Sequence, residues 1–213
     1  FAYEYVLDGN RGISSPIGMY GNRLSCDYHI ISAQASGLMN MVNCVARCQL
    51  EIDNYVCAPY AAGVACLHPD EMKLGVTLIE FGGSCTSISV FHNGHLVFMD
   101  SVNMGGINIT NDIACILSTD FASAERVKNL YGTLIPTSSD KNEKIEVPIS
   151  ADNDGEMNIV SKSLLRDIIK ARVEETLEIL KERSDIKGAT ALSGNKIVIT
   201  GGASQLSGMK ELV

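Results

Sequence analysis

The sequence predicts an α/β protein, in which β-strands alternate with α-helices along most of the 213 residues. Short β-branched runs, such as 76–81 and 197–199, indicate buried strands. Apolar residues that recur every three or four positions indicate amphipathic helices, of which the longest covers 162–183. Glycine pairs follow two of the apolar strands, which is typical of turns at the edge of a sheet.

The first half of the chain predicts the following elements. A strand-like stretch over 23–32 precedes a helix over 35–49, whose apolar residues share one face. Strands are expected over 76–81 and 87–91. Asn93-Gly94 then predicts a β-hairpin to a strand at 96–98, because this dipeptide suits the tight turns that join antiparallel strands.

The second half predicts two helices, a polar segment and a long helix. One helix surrounds 109–117, and another covers 121–131, with Thr119 or Asp120 as its N-cap and Gly132 as its end. Residues 140–156 are predicted as loop, edge strand and loop. The helix over 162–183 carries an apolar stripe that we expect in the core. A loop over 184–195, a strand over 197–199 and a helix start after Gly202 complete the prediction.

Composition excludes several classes of protein. Hydrophobic residues make up 46% and charged residues 20%, as in soluble globular chains rather than disordered or coiled-coil ones. No run of about 18 apolar residues is present, so we expect no membrane span. The net charge of −8 argues against a nucleic-acid surface. The start of the chain has no signal-peptide pattern and no Met, so we expect a fragment.

The cysteine and histidine patterns predict neither disulfides nor a metal site. The seven cysteines are odd in number and include no C-x-x-C pair, which favours free thiols in a reducing cytoplasm. Cys44 and Cys48 share a helix face, where core packing is expected and a reactive thiol is the alternative. His92 and His95 flank the hairpin turn without a third ligand nearby, so we expect solvated side chains rather than metal ligands.

Three glycine pairs are candidates for binding chemistry: Gly82-Gly83, Gly105-Gly106 and Gly201-Gly202. A glycine turn at the end of a strand lets backbone N–H groups approach an anion without a Cβ in the way. The first pair is followed by another strand, whereas the P-loop and Rossmann motifs need a helix there. P-loop and Rossmann sites are therefore not expected. A single glycine pair is more often a structural turn than a binding site.

The order of three blocks resembles the actin, Hsp70 and sugar kinase superfamily. Residues 76–91 resemble its phosphate-binding hairpin, and 197–208 resemble its adenosine motif. Between them, 124–128 resembles the helix whose Glu and Lys contact ribose and adenine. The resemblance implies a partial actin-like (ribonuclease H-like) ATPase fold that binds ATP, with Mg²⁺ in the full-length protein. The implied nucleotide-binding residues are Glu80, Gly82, Gly83, Ser84, Gly105, Gly106, Glu125, Lys128, Gly201, Gly202 and Ala203.

Within that superfamily, the chain resembles the FtsA family of bacterial cell division proteins. Residues 101–106 with 110–114, and 117–119 with 124–132, resemble its second-subdomain segments, while 12–31 resembles subdomain 1C, which is specific to that family. The implied division is 1–54 for part of subdomain 1C, 55–74 for a return segment of 1A, 75–118 for the first part of 2A, 119–195 for 2B and 196–213 for the second part of 2A. The family's first phosphate loop and carboxy-terminal membrane helix are not expected in this chain.

The family resemblance implies a function. The protein is expected to bind ATP, to polymerise and to link FtsZ filaments to the cytoplasmic membrane at the division septum, as a cytoplasmic protein peripheral on the inner face. Subdomain 1C implies contacts with other divisome proteins, and 2B implies a site for the carboxy-terminal tail of FtsZ. Arg166 and Lys170 are the candidate contacts to acidic residues of that tail, although a solvated helix face is the alternative.

Departures from the superfamily pattern argue against efficient catalysis. Glu80 stands where Asp is usual, and Ser84 and Cys85 replace the common Gly and Thr. Ala58 replaces the Glu of a Glu-Pro-x-Ala-Ala connection that positions water, so we expect at most a weak ATPase and assign no catalytic residue. The alternatives are a phosphotransferase of the sugar-kinase branch, for which no catalytic Asp is found, and an interaction module whose glycine turns are only structural.

Overall fold

The computed structural model describes residues 2–13, 15–140, 142–149, 157–186 and 188–213. Strands and α-helices alternate along the chain in this order: β1 (Ala2–Leu7), β2 (Asn10–Ile13), β3 (Leu24–Tyr28), α1 (Ala35–Arg47), α2 (Ala58–Cys66), α3 (Pro69–Leu74), β4 (Val76–Phe81), β5 (Thr86–His92), β6 (His95–Val102), α4 (Gly106–Leu117), α5 (Phe121–Tyr131), β7 (Lys144–Pro148), β8 (Met157–Ser161), α6 (Lys162–Ile186), β9 (Ile197–Thr200) and α7 (Met209–Leu212). The predicted α/β class is confirmed.

A four-stranded sheet in the order β6-β5-β4-β9 forms the centre of the fold. β4, β5 and β6 pair antiparallel, and β9 lies parallel to β4 with Thr200 opposite Glu80. Because β4 and β9 run in the same direction, their carboxyl ends meet at one edge of the sheet. The glycine turns that follow these two strands are therefore neighbours, although Gly82 and Gly201 are 119 positions apart in the sequence.

Both faces of the central sheet are covered, and β4 and β5 are therefore buried along nearly their whole length. One face packs against α4 and α6 in a core that includes Ile88, Ile113 and Ile169. The other face packs against α2 and α3, where Tyr60 stacks on Phe91. The predicted stripe on α6 is confirmed as core, since it contributes Leu165, Ile168, Ile169, Val173 and Leu180 as buried residues.

Two turn and cap predictions are confirmed. Asn93 and Gly94 have positive φ angles of 53° and 81°, and they join β5 to β6 as a hairpin in which His92 lies opposite His95. Asp120 is the N-cap of α5, because its side chain accepts a hydrogen bond from the Ser123 N–H at 2.9 Å.

The polar segment before α6 contains a second small sheet. β7 is the predicted edge strand, but it pairs antiparallel with β8, which the sequence pattern did not reveal. Residues 150–156 of the predicted second loop lie outside the described part of the chain. α6 also runs on to Ile186, and a short 3-10 turn (Ala189–Leu192) follows, so the predicted loop over 184–195 begins too early. After Gly202 the chain forms a 3-10 turn rather than an α-helix.

In the amino-terminal part of the chain, before β4, the prediction that Cys44 and Cys48 pack in a core is wrong. β1, β2, α2 and α3 were not predicted, and β1 pairs with β2 and β3 in a separate three-stranded sheet. Helix α1 lies within its predicted range but buries none of its residues, so Cys44 and Cys48 are exposed rather than packed in a core. The reason is that no residue of α1 belongs to either described hydrophobic core. His92 and His95 are half-buried rather than solvated.

No helix in the described part of the chain is long and apolar enough to cross a membrane.

Candidate functional site

A cavity of about 510 Å³ lies where the carboxyl ends of β4 and β9 meet α4 and α5. It is lined by both glycine turns of the sheet edge, by the start of α4 and by one face of α5. The predicted site residues among its lining are Gly82, Gly83, Gly106, Glu125, Lys128, Gly202 and Ala203. Segments that are far apart in the sequence thus form one concave site with a few converging polar groups, which is typical of a small-molecule pocket.

The Gly82-Gly83 turn is held against the first residues of α4. The N–H groups of Gly106 and Ile107 donate to the carbonyls of Gly82 and Gly83 at 3.0 and 2.7 Å. Gly105 is required at this contact, because a Cβ there would lie 2.6 Å from the Gly83 carbonyl oxygen. Gly105 therefore shapes the site without lining the cavity.

Two N–H groups of the same turn remain available to a ligand. Gly82 closes the turn by donating to the Cys85 carbonyl at 2.9 Å. Within the described ranges, the N–H groups of Gly83 and Ser84 donate to no protein acceptor. Successive free N–H groups beside a helix N-terminus favour the binding of an anion such as a phosphate.

The two glycines after β9 have different roles. Gly201 has a φ of +92°, and a Cβ there would lie 2.2 Å from the Phe81 carbonyl oxygen, so only glycine fits. Gly202 has no atom within 4 Å of the position of a Cβ, and it lines the cavity. Gly201 therefore maintains the turn, whereas Gly202 leaves space inside the cavity.

An ion pair between a buried lysine and a half-buried glutamate forms the α5 side of the cavity. The Lys128 ammonium lies 2.6 Å from Oε2 of Glu125, and only 10% of the Lys128 side chain is exposed, against 39% for Glu125. Although partial burial of Glu125 opposes its ionisation, hydrogen bonds from Lys128 and Thr110 lower the pKa of this carboxyl. Glu125 is therefore a carboxylate near neutral pH and presents an anionic acceptor to the cavity.

Sequence reasoning missed the role of Thr110 in this network. Thr110 is fully buried on α4, and its hydroxyl is hydrogen-bonded to Glu125, to Lys128 and to the Gly106 carbonyl. The sequence does contain a signal for this role. Thr110 lies four residues after Gly106, and residues i and i+4 lie on the same face of a helix.

Glu80 and Ser84 do not line the cavity. Glu80 is half-buried at the end of β4, and its carboxylate accepts a hydrogen bond from the Ser87 hydroxyl at 3.3 Å. Ser84 is exposed at the tip of the turn. In the described part of the chain, no three His, Cys, Asp or Glu side chains come close enough to hold a metal ion.

The two basic candidates on α6 have different surroundings. The Arg166 guanidinium contacts Asp140 and Asp167, each at 2.8 Å, and only 17% of its side chain is exposed. Lys170 forms an exposed ion pair with Glu174 at 3.4 Å. Arg166 therefore has an internal structural partner, while Lys170 is accessible.

A groove between α5 and the β7–β8 sheet was not foreseen from the sequence. This cavity of about 500 Å³ has apolar lining from Val127, Leu130 and Met157, and its charged lining consists of Arg126, Lys144 and Glu146. Leu130 and Met157 are 61% and 54% exposed.

Comparison with protein families gives two matches. Residues 77–213 match the family model described as "Cell division protein FtsA", and residues 1–32 match the one described as "SHS2 domain inserted in FTSA". The chain is 42% identical over 208 residues to cell division protein FtsA of Rhizobium meliloti (strain 1021), covering 97% of this chain and 47% of that protein. It is 38% identical over 209 residues to FtsA of Bacillus subtilis (strain 168), covering 98% and 47%. The chain thus spans about half the length of these relatives.

Solved structures show the same fold at low identity. MreB5 of Spiroplasma citri bound to ADP superposes with a TM-score of 0.66 at 18% identity, over 84% of this chain and 57% of that chain. A chain of the PilM–PilN type IV pilus biogenesis complex gives 0.59 at 16% identity, over 82% and 43%.

These matches decide between the functional classes raised by the sequence. The second half of the chain, which contains the cavity and the central sheet, matches the FtsA model, and the sugar-kinase alternative is not favoured. The likeness to MreB5 shows that the central sheet and its flanking helices form an actin-like fold. The chain therefore belongs to the FtsA family of cell division proteins.

Proposed function

We propose that this actin-like cell division protein binds ATP in the cavity between the two glycine turns and α5. The observation that carries the proposal is that Gly82, Gly202 and Glu125, which come from three separate segments, line one cavity. The Spiroplasma citri MreB5 structures were solved with ADP and with AMPPNP, and they share this fold. The cavity contains hydrogen-bond donors and acceptors of the kinds that phosphate oxygens and ribose hydroxyls require.

The residues of the cavity fit the parts of a nucleotide. The free N–H group of Gly83 suits a phosphate oxygen, and the Glu125 carboxylate suits the hydroxyls of a ribose. The open space beside Gly202 and Ala203 suits the adenosine. Glu80 accepts a hydrogen bond from Ser87 and does not line the cavity, so we assign no protein ligand for Mg²⁺ among the described residues.

We infer that hydrolysis of ATP by the protein is slow. Among the described lining residues, the one carboxylate is Glu125 on α5, away from the Gly82-Gly83 turn, and Ala58 supplies no polar side chain at the start of α2. Positioning of water by a single polar group is commonly worth about 10²–10⁴-fold in rate. The nucleotide then acts mainly as a structural ligand that favours one conformation of the protein.

Gly202→Val tests the nucleotide site in the full-length protein. The valine meets no protein atom within 4 Å at its Cβ, so the fold is expected to persist while the side chain occupies the cavity. We expect the affinity for ATP, measured by calorimetry, to fall at least about tenfold, the factor that corresponds to 1.4 kcal/mol.

Gly37→Val is the matched control, because Gly37 also has no atom within 4 Å of a Cβ and lies on α1, outside the cavity. Both variants should unfold at the same temperature as the wild type. An unchanged ATP affinity in Gly202→Val would show that the cavity does not hold the nucleotide.

We further propose that the protein polymerises and links FtsZ filaments to the inner face of the cytoplasmic membrane at the division septum. The proposal rests on family membership. Residues 1–54 are assigned to subdomain 1C with its divisome contacts, 55–74 to 1A, and 75–118 with 196–213 to 2A. The membrane contact is assigned to a helix outside this sequence.

The tail of FtsZ is proposed to bind the region 119–195, assigned to subdomain 2B. The groove between α5 and the β7–β8 sheet supports this, since exposed Leu130 and Met157 lie beside Arg126 and Lys144. Apolar residues of a tail would supply most of the affinity there, and its acidic residues would meet the basic side chains. Lys170 remains a further candidate on α6.

A titration of the full-length protein with the FtsZ tail peptide tests this adaptor role. We expect Lys144→Glu with Lys170→Glu to weaken binding by about tenfold or more, because each reversal replaces attraction by repulsion. Lys181→Glu on the same helix α6 is the control for a general change of charge. Arg166 is left unchanged because it holds Asp140. Equal binding by all variants would place the tail site elsewhere.

A further inference from the structure

We propose that Met41, Cys44 and Cys48 at the carboxyl end of α1 form a binding site for one Cu(I) ion. The inference does not depend on the nucleotide site, because no residue of α1 lines that cavity. It follows from the exposure of three sulfur-containing side chains, from their spacing along the helix and from the kind of metal ion that sulfur ligands prefer.

Two stripes of side chains on α1 differ in exposure. One stripe is half-buried and consists of Leu38, Val42 and Val45. The other stripe is exposed, and its spacing of i, i+3 and i+7 places Met41, Cys44 and Cys48 on one face of the helix. Free cysteine is among the residue types most often buried, so packing does not explain two exposed thiols beside an exposed thioether.

The spacing of the two thiols suits a shared metal ion better than a disulfide. Cβ atoms at i and i+4 of a helix lie about 5–6 Å apart, whereas a disulfide needs about 3.5–4.5 Å. Cys44 and Cys48 are accordingly both free thiols. Two metal–sulfur bonds of about 2.3 Å can join sulfur atoms up to about 4.6 Å apart, so one ion can bridge this pair.

The donor set selects a soft metal ion. Thiolates and thioethers favour soft ions such as Cu(I), whereas oxygen ligands favour Mg²⁺ and Ca²⁺. Structural zinc sites almost always have four Cys, His or acidic ligands, but nowhere in the described ranges do even three such side chains come together. Cu(I) accepts low coordination numbers, so two thiolates and one thioether complete its shell.

Protons and charge balance when the ion binds. Each thiol releases its proton to solvent, and Cu(I) with two thiolates and a neutral thioether forms a complex with one negative charge. Arg47 is the only charged residue of α1, and it lies in the last turn beside Cys48. Its positive charge stabilises the anionic complex and offsets the negative end of the helix dipole.

The backbone of Cys48 is ordered without a metal ion. Cys48 is the C-cap of α1, and Gln49 follows it with a φ of +59°. The Gln49 N–H donates to the Ala46 carbonyl at 2.9 Å. The Leu50 N–H donates to the Val45 carbonyl at 3.4 Å, which completes a Schellman motif. A ligand held in this way loses little conformational freedom when it binds a metal ion.

The test is a competition for Cu(I) between the full-length protein and bicinchoninate under anaerobic conditions. The coloured Cu(I) complex of bicinchoninate fades as the protein takes the metal ion. We expect the wild type to take one Cu(I) per chain, and Cys44→Ser with Cys48→Ser to lose this binding. Met41→Leu should weaken the affinity by about tenfold, the lower end of the cost of losing a supporting contact in a metal site.

Cys66→Ser with Cys115→Ser is the matched control, because it removes two other exposed thiols and should bind Cu(I) like the wild type. All variants should keep the circular dichroism spectrum of the wild type, since no residue of α1 belongs to either described core.

Four results would overturn the inference. A wild-type protein that takes no Cu(I) would show that the three side chains form no site. Unchanged binding after Cys44→Ser with Cys48→Ser would place the metal ion elsewhere. An equal loss in the control pair would show binding by scattered thiols, and unchanged affinity in Met41→Leu would remove the thioether from the site. ATP affinity, measured on the same variants, should be unchanged whichever result is found.

Discussion

Two clusters in this protein use the same three kinds of group, a threonine hydroxyl, a carboxylate and a basic side chain, for different purposes. At the cavity the groups are Thr110, Glu125 and Lys128, and the carboxylate side chain is 39% exposed. Before β7 they are Thr137, Asp140 and Arg166, and the carboxylate is 1% exposed. The difference is whether solvent, and hence a ligand, reaches the anion.

The buried cluster fixes the chain between α5 and β7. Thr137 donates its N–H to Oδ2 of Asp140 at 2.8 Å and also its hydroxyl to Oδ1, and Arg166 approaches Oδ2 at 2.8 Å. These hydrogen bonds, with the nearby positive charges of Arg166 and Lys162, lower the pKa of Asp140. An anion held in this way orders a loop and the start of α6 but is closed to partners.

A carboxylate paired with a cation can bind a ligand only where its burial is incomplete. Glu125 is bonded on the protein side and open on the cavity side, whereas Asp140 is closed on all sides. Substitutions in the two clusters should therefore affect different measurements. Those before β7 should change stability, and those at the cavity should change nucleotide affinity.

Asp140→Asn should give the largest effect on stability. The amide keeps the shape but lacks the charge that faces Arg166, and it replaces one acceptor oxygen by a donor facing Thr137. We expect the Tm to fall by about 5–10 °C, measured by circular dichroism. Nucleotide affinity measured well below the Tm should be unchanged. A loss of affinity in the folded variant would break the separation between the two clusters.

Glu125→Gln should give a large effect on affinity and a small one on stability. Removing the charge weakens the hydrogen bond to a ligand hydroxyl, and bonds to charged groups are worth about 1.5–3 kcal/mol. We expect ATP affinity to fall by about ten- to a hundredfold in calorimetry. The Tm should change by no more than about 3 °C, because the site is partly solvated. Unchanged affinity with a strongly lowered Tm would assign Glu125 to the fold.

The pH dependence of stability should also differ between the two clusters, although the effect is smaller. Both folded-state pKa values lie below the ordinary 3.8 of Asp and 4.5 of Glu, so the unfolded chain binds more protons in that range. The stabilisation that each carboxylate contributes is present in full above its ordinary pKa. It is lost as the pH falls through the pKa of the folded state. We expect the difference in Tm between the wild type and Asp140→Asn to be constant from about pH 7 to pH 5 and to shrink toward about pH 3.

The difference in Tm between the wild type and Glu125→Gln should also shrink as the pH falls. Its dependence on pH should be shallower, since solvent screens the Glu125 carboxylate of the wild type. A slope for Glu125→Gln that equals or exceeds the slope for Asp140→Asn would contradict the different burial of the two clusters.

Local sequence determined the elements whose physical cause is local. The Asn93-Gly94 hairpin follows from the positive φ that these two residues adopt, and the start of α5 follows from the Asp120 cap. The stripe on α6 follows from its helical spacing. The three blocks around Gly82, Glu125 and Gly202 were also recognisable, because their order and residue types resemble a known superfamily.

Tertiary structure decided what depends on neighbours that are distant in the sequence. Spacing could not show that Thr110 lies against Glu125, because the contact joins α4 to α5. It could not show that β8 pairs with β7, nor that Arg166 reaches back to Asp140 before the small sheet. The apolar face of α1 predicted burial for Cys44 and Cys48, but burial needs a packing partner. Periodicity reports which residues share a face, whereas only packing determines what that face meets.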